Sequence, residues 1–378
     1  MAWVEGRRSC PDGREEAVRV RVEEGRIAEI RPYRGGGDDL PALCPGFVDI
    51  HVHGGGRADT MDATEEAFAA ICRTHARFGT TSLLLTTVTD APERIEAVLE
   101  EARRFAAKRP ESGARVAGVH LEGPFLNPEK AGAQRRDRMI APDGELAARW
   151  FAAGVVKMIT LAPELPGAHA VAALAKARGV VAAAGHTQAT ARDMAAAAAA
   201  GFSHITHLCN AMRPLLHREV GPIGHAVADA AFTGDMICDG VHLDPPMVRT
   251  LARAIGSDRL CLITDAIRAA AAGPGAYDLG GLTVEVKDGA CRLPDGTLAG
   301  SVLTMNRAWH LVQQFAGVAR RDAEAMASAN PAAVAGLAGT GVLAEGAAAD
   351  LVALDAGGDV LWTMVGGCTV YERGREGA

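Results

Sequence analysis

The chain has 378 residues, 48% of them apolar and 22% charged, and a formal net charge of −7. That supplies a core for one large domain with an appendage and excludes both global disorder and a small stapled scaffold. The negative balance argues against nucleic-acid binding as the main function, and aromatics at only 4% leave little for base stacking.

In chain order, residues 17–31 (AVRVRVEEGRIAEIR) come first. They alternate apolar and polar across a Glu-Gly turn, which predicts a β-hairpin. The C-terminal stretch ADLVALDAGGDVLWTMVGGCTVYERG has the same character, with Gly-Gly turns. An isolated hairpin is marginal in water, so the two ends are expected to combine. The prediction is a small, discontinuous β-sandwich domain from residues 1–45 and 345–378, with residues 46–344 inserted between them.

The middle carries eight apolar runs: 47–51, 81–86, 115–121, 155–161, 179–185, 203–208, 235–239 and 259–264. Helical compositions such as ERIEAVLEEARRFAAKR and ARDMAAAAAAG separate them. Runs apolar on both faces that alternate with helices predict a parallel sheet under a layer of helices. Eight units fit an α/β fold of the (β/α)8 TIM-type barrel, with an open doubly wound sheet as the alternative. No stretch offers the roughly 20 apolar residues of a membrane span. The first residues, MAWVEGRR, are charged where a signal peptide needs its apolar core, and eight cysteines are scattered without a CxxC pair. A cytoplasmic chain with reduced thiols is therefore expected, with no membrane or nucleic-acid partner.

In such a barrel the active site lies at the C-terminal ends of the strands, and the metal-binding residue types fall there. His51 and His53 close the first run, Glu122 follows the third, His186 the fifth, His207 ends the sixth and Asp265 follows the eighth. Residues two apart on a strand share a side, so His51 and His53 both face the mouth. Four imidazoles and a carboxylate suit Zn2+ first and also admit Fe2+, Co2+ or Mn2+. Asp265 reads as a further ligand or the proton carrier. The HxH pair alone reads equally well as hydrogen-bonded core; the whole set at one end of the strands is what points to a metal. His204, His120, His75, His169 and His310 read as ordinary structural histidines, the first two with outer-layer duty open to them. Lys157, inside the fourth run, invites the role of a carboxylated bridging lysine, but Glu122 already offers a carboxylate.

Longer stretches resemble the N-acetylglucosamine-6-phosphate deacetylases of the amidohydrolase superfamily. They include PGFVDIHVHGGG (45–56), GVHLEGPFLNPEKAGA (118–133), TLAPE (160–164), AAGHTQA (183–189), THLCNAMRPL (206–215), DGVHL (239–243), LITDA (262–266), LAGSVLTM (298–305), NPA (330–332) and GAAADLVALD (346–355). The resemblance implies Glu122, His186 and His207 as central metal ligands and Asp265 as the proton shuttle. It implies His51 and His53 as a pair that some members use for a second metal, so one or two divalent ions per chain. It assigns Asn210, Ala211, Arg218 and His242 to the sugar phosphate, with Asp239 in the same DGVHL stretch. Ala133, Gln134 and Leu298, Ala299 and Gly300 fall in loops against the substrate. It further implies a homodimer, with Arg218 reaching across to the neighbouring subunit.

Two positions depart from that pattern. Gln134 stands where histidine is usual, and Val220 where proline is usual. Glutamine donates a hydrogen bond but carries no proton or charge, and valine does not fix φ. The expected reaction is hydrolysis of the acetamide of N-acetylglucosamine 6-phosphate to acetate and glucosamine 6-phosphate, with Gln134 helping to polarise the carbonyl. The alternatives are an amidohydrolase for another N-acylated amino sugar or a cyclic amide, and a non-catalytic sugar-phosphate-binding protein.

Overall fold

A computed structural model describes residues 2–10, 12–35, 39–108 and 112–375. Eight strands, Phe47–Val52, Thr80–Thr87, Arg115–Glu122, Val156–Leu161, Val181–Ala184, Phe202–Ile205, Thr233–Ile237 and Leu260–Ile263, form one parallel sheet in chain order. Each of the eight apolar runs has become one of them. The sheet closes on itself: Val52 bridges Ala266 in parallel, and Asp265 N donates to His51 O at 3.0 Å. Below that point Thr264 Oγ1 donates to Asp49 Oδ2 at 2.6 Å. Every residue of the first two barrel strands is buried, which explains why their apolar residues fall on both faces instead of alternating.

The helices outside follow from local signals. Pro92–Ala106 has proline in its first turn, Arg103 and Arg104 in its last, and buries Ile95, Val98, Leu99 and Ala102 along one face. Burying each larger apolar side chain contributes about 1.5–3 kcal/mol. The alanine-rich helix Ala191–Ala200 starts at a capping box of Thr190 and Asp193 and stops at Gly201, whose φ is 111°.

Both ends of the chain share one seven-stranded sheet. Its order is Cys368–Glu372, Val360–Val365, Leu351–Leu354, Ala42–Pro45, Ala2–Ser9, Glu15–Glu23 and Arg26–Pro32. The expected hairpin is the last pair, turning at Glu24 and Gly25. The sheet curls back on itself, since Ile27 N donates to Ala347 O at 3.0 Å and Ala349 N to Gly25 O at 2.8 Å. Val18, Val20, Val22, Ile27, Leu351 and Met364 therefore share one small core.

A three-stranded sheet beside the barrel was not anticipated. After the eighth barrel strand, Gly275–Leu279, Leu282–Lys287 and Ala290–Arg292 form an antiparallel three-stranded sheet. The Asp288-Gly289 dipeptide between alternating residues was its signal. The segment after it runs back to the barrel mouth, where Ala299 N donates to Cys291 O at 3.0 Å.

Candidate active site

The barrel's strand ends bring six of the expected residues together. His51, His53, Glu122, His186, His207 and Asp265 are each no more than 7% exposed. Glu122 Oε1 lies 3.0 Å from His207 Nε2, 3.2 Å from His186 Nε2 and 3.5 Å from His51 Nε2. Its Oε2 lies 3.3 Å from His53 Nε2. The ring nitrogens also face one another, His51 Nε2 to His53 Nε2 and His186 Nε2 to His207 Nε2, both at 3.2 Å. Asp265 Oδ1 completes the cluster at 3.2 Å from His53 Nε2 and 3.5 Å from His51 Nε2.

Backbone carbonyls set two of the tautomers. His53 Nδ1 is 3.2 Å from Thr86 O, and His186 Nδ1 is 2.8 Å from Lys130 O. A carbonyl only accepts, so Nδ1 carries a proton and Nε2 is the ring nitrogen turned inward to the cluster. Two donor sets result, His51–His53–Glu122 and Glu122–His186–His207, with the ligand atoms of each within 4.8 Å of one another. Nitrogen and carboxylate donors converging in this way fit a divalent transition-metal ion. Burial works against the charge on Glu122, yet His51 and His186 beside it hold its carboxyl well below the usual range. Burial likewise opposes protonation of His207, and Glu122 lifts it to about 9.

Backbone strain is concentrated at the same place. His186, His207 and Asp265 have φ of 47°, 34° and 50°. Such conformations cost on the order of 1–3 kcal/mol each and persist only where the surroundings impose them. The surroundings here are polar and buried. Asp235 Oδ1 accepts from His207 N, and its Oδ2 lies 3.0 Å from His204 Nε2. His120 joins the inner layers, 3.0 Å from Ile50 O and 2.7 Å from Thr160 Oγ1. Glu164 accepts from Thr187 Oγ1 and, at 2.6 Å, from Gln188 N, fixing the loop after His186. Gly300 has φ of 56°, and a Cβ there would fall 2.5 Å from Ile267 Cγ2 and 2.9 Å from Asp265 O, so only glycine fits against Asp265.

The cluster floors a pocket of about 320 Å3, which Ala133, Gln134, Asn210, Ala211, His242, Leu298 and Gly300 also line. Three expected substrate-binding residues do not line it, and neither does the fully buried His51. Ala299 is fully buried. Asp239 is occupied by His242, with Oδ2 2.7 Å from Nδ1 and Oδ1 accepting from two backbone N–H groups. Arg218 is exposed on the turn Leu216–Glu219, outside the pocket. Lys157 sits at the start of its strand, away from the mouth. Reading the sequence missed Asp49, Asp235 and Glu164 as anchors, and Leu279 of the added sheet as part of the pocket lining. A charged residue inside an apolar run, as in FVDIH, or heading one, as in DMICD, was the signal for the first two.

The profile described as Amidohydrolase family matches residues 42–370. The chain belongs to the amidohydrolase family. A curated amidohydrolase relative, N-acetylglucosamine-6-phosphate deacetylase of Bacillus subtilis (strain 168), is 38% identical over 361 residues, covering 92% of this chain and 91% of its own. N-acetylgalactosamine-6-phosphate deacetylase of Escherichia coli O157:H7 is 35% identical over 345 residues, covering 89% of this chain and 90% of its own. Among solved structures, a Mycobacterium smegmatis N-acetyl-D-glucosamine-6-phosphate deacetylase mutant in complex with N-acetyl-D-glucosamine-6-phosphate matches with a TM-score of 0.91. It is 34% identical, and the match covers 98% of this chain and 100% of that one. The corresponding enzyme from Thermotoga maritima matches with the same TM-score, 0.91, at 34% identity, covering 98% of this chain and 100% of that one.

Proposed function

We infer that this amidohydrolase hydrolyses the acetamide of N-acetylglucosamine 6-phosphate, releasing acetate and glucosamine 6-phosphate. The observation that carries the reading is Glu122 set between four imidazoles, with Asp265 Oδ1 3.2 Å from His53 Nε2, at the bottom of a sugar-sized pocket. Relatives across nearly the whole chain carry that activity in their names.

Glu122, His186 and His207 hold one divalent ion, and His51, His53 and Glu122 can hold a second. Zn2+ is the first choice, with Fe2+, Co2+ and Mn2+ compatible with the same donors. When bound, such an ion acidifies water to a pKa of about 7 and polarises a carbonyl. Asp265 takes the proton of the attacking water as the acetamide carbon becomes tetrahedral. It then delivers that proton to the sugar nitrogen as the C–N bond breaks, because an amine leaves poorly unless protonated. Its carboxylate is ready for the first step: burial opposes its charge, but His51 and His53 hold it below the usual range.

Asn210 and His242 receive the sugar phosphate at the rim, and Asp239 fixes the His242 ring through Nδ1. Arg218 comes from a second copy of the chain, a homodimer in which its guanidinium forms paired hydrogen bonds to the phosphate. Its exposed turn supports this, since Leu215 and Leu216 beside it are 51% and 54% exposed and suit an interface. The eight cysteines are free, which suits a reducing cytoplasm.

The test is amine release from a panel of N-acetylated sugars, gluco and galacto, with and without the 6-phosphate, with bound metal measured alongside. Preference for N-acetylglucosamine 6-phosphate is the expected result. Preference for the galacto epimer moves the substrate, and activity on neither sugar phosphate rejects the reading.

A further inference from the structure

Gln134 is the residue whose surroundings differ most from the expectation that it polarises the substrate carbonyl. It is 7% exposed and lies in the loop after the third barrel strand. Its Oε1 accepts from Thr89 N at 2.7 Å, just past the end of the second barrel strand. A backbone N–H cannot accept, so this bond determines which way the carboxamide is turned. Its Nε2 then faces Glu122 and donates to Oε2. The two oxygens of Glu122 are thereby divided. Oε1 faces His186 and His207 at 3.2 and 3.0 Å, with His51 farther off at 3.5 Å, and Oε2 is shared between Gln134 and His53.

We propose that Gln134 is a positioning residue for the metal centre: a neutral strut from the Thr89 backbone that fixes the rotation of the Glu122 carboxylate and so sets how tightly the metal is held. The proposal rests on the reading of Glu122 as a metal ligand. A carboxylate free to rotate about its terminal torsion offers the right oxygen to each donor set only part of the time. A carboxamide pinned at its own oxygen removes that freedom, and it stays neutral across the working pH range. Outer hydrogen-bond partners of this kind are typically worth ten- to a hundredfold in metal affinity.

The experiment loads the full-length protein with Zn2+ and challenges it with a chromophoric chelator. Wild type is compared with Gln134→Met, which keeps the length and loses both polar atoms, and Gln134→Asn, which keeps the amide and loses the reach. Circular dichroism and the unfolding temperature of each variant check the fold, and the asparagine variant serves if the methionine variant does not fold. Both variants are expected to give up Zn2+ ten- to a hundredfold more readily. Their activity deficit is expected to narrow as Zn2+ is raised. Zn2+ retention equal to wild type, with a deficit that does not change with Zn2+, overturns the proposal and returns Gln134 to the substrate carbonyl. Glu122→Ala in the same assay separates the two layers: if it holds Zn2+ as wild type does, the ligand reading itself has failed. If it releases Zn2+ while both Gln134 variants behave as wild type, only the strut has failed.

Discussion

The floor and the rim of the pocket are made in different ways. On the floor, His51, His53, Glu122, His186, His207 and Asp265 stand at strand ends, nearly without exposure, and are held by backbone carbonyls, by Asp235 and by one another. On the rim, Asn210 and His242 are half-buried on loops, and Arg218 stands exposed on a turn that does not reach the pocket of its own chain. Barrel register alone completes the floor. The rim depends on loop conformation and, on the proposed reading, on a second subunit. On that reading the chemistry is fixed within one chain, and recognition of the phosphate is shared between two.

This contrast is broken most severely at Glu122. Glu122→Ala should lose the metal and bring turnover to background, because both donor sets share that carboxylate; metal analysis beside the assay checks it, and a fully metallated, active variant removes Glu122 from the site. Next comes Asp265→Asn, which keeps shape but not the proton. Turnover should fall by roughly 10^2–10^4-fold while metal and substrate still bind. A loss of less than tenfold assigns the shuttle elsewhere.

The rim should respond more gently and more selectively. Arg218→Ala should lower kcat/KM on the phosphorylated sugar by roughly ten- to a hundredfold and barely touch the unphosphorylated one. Equal losses on both would make Arg218 structural. Sedimentation tests the same residue from the other side, with a dimer predicted. The smallest effect is expected at Asp239→Asn, which loosens the His242 ring and weakens its bond through Nδ1. A rise in KM of about three- to tenfold, with kcat nearly kept, separates that positioning role from catalysis.

The same division governs what the sequence makes legible. The eight barrel strands could be read because a parallel strand covered on both faces carries apolar residues on both sides, as Phe47-Val48 and Leu83-Leu84-Leu85 do. The floor followed, since strand ends in such a barrel share one mouth. Ala2–Ser9 went unread because AWVEGRRS carries three charges without clear alternation, and it is a strand by pairing with Glu15–Glu23 and Ala42–Pro45. The contact between Gln134 and Thr89 spans 45 residues and depends on how two loops meet, which no local pattern encodes. Asp235 could have been suspected as a carboxylate heading an apolar run, but its partner, the His207 backbone N–H, is visible only in the fold. Arg218 is exposed on its turn, and its proposed role would be seen only with a second copy in place.

The central claim is that the floor is a metal-dependent deacetylation centre. The most direct measurement gives the metal-loaded protein N-acetylglucosamine 6-phosphate and quantifies acetate and free amine together, before and after chelation. Acetate and amine should appear one for one, stop when the metal is removed and resume when it is restored. A fully metallated protein that releases neither product, or one that keeps releasing both after its metal is gone, contradicts it.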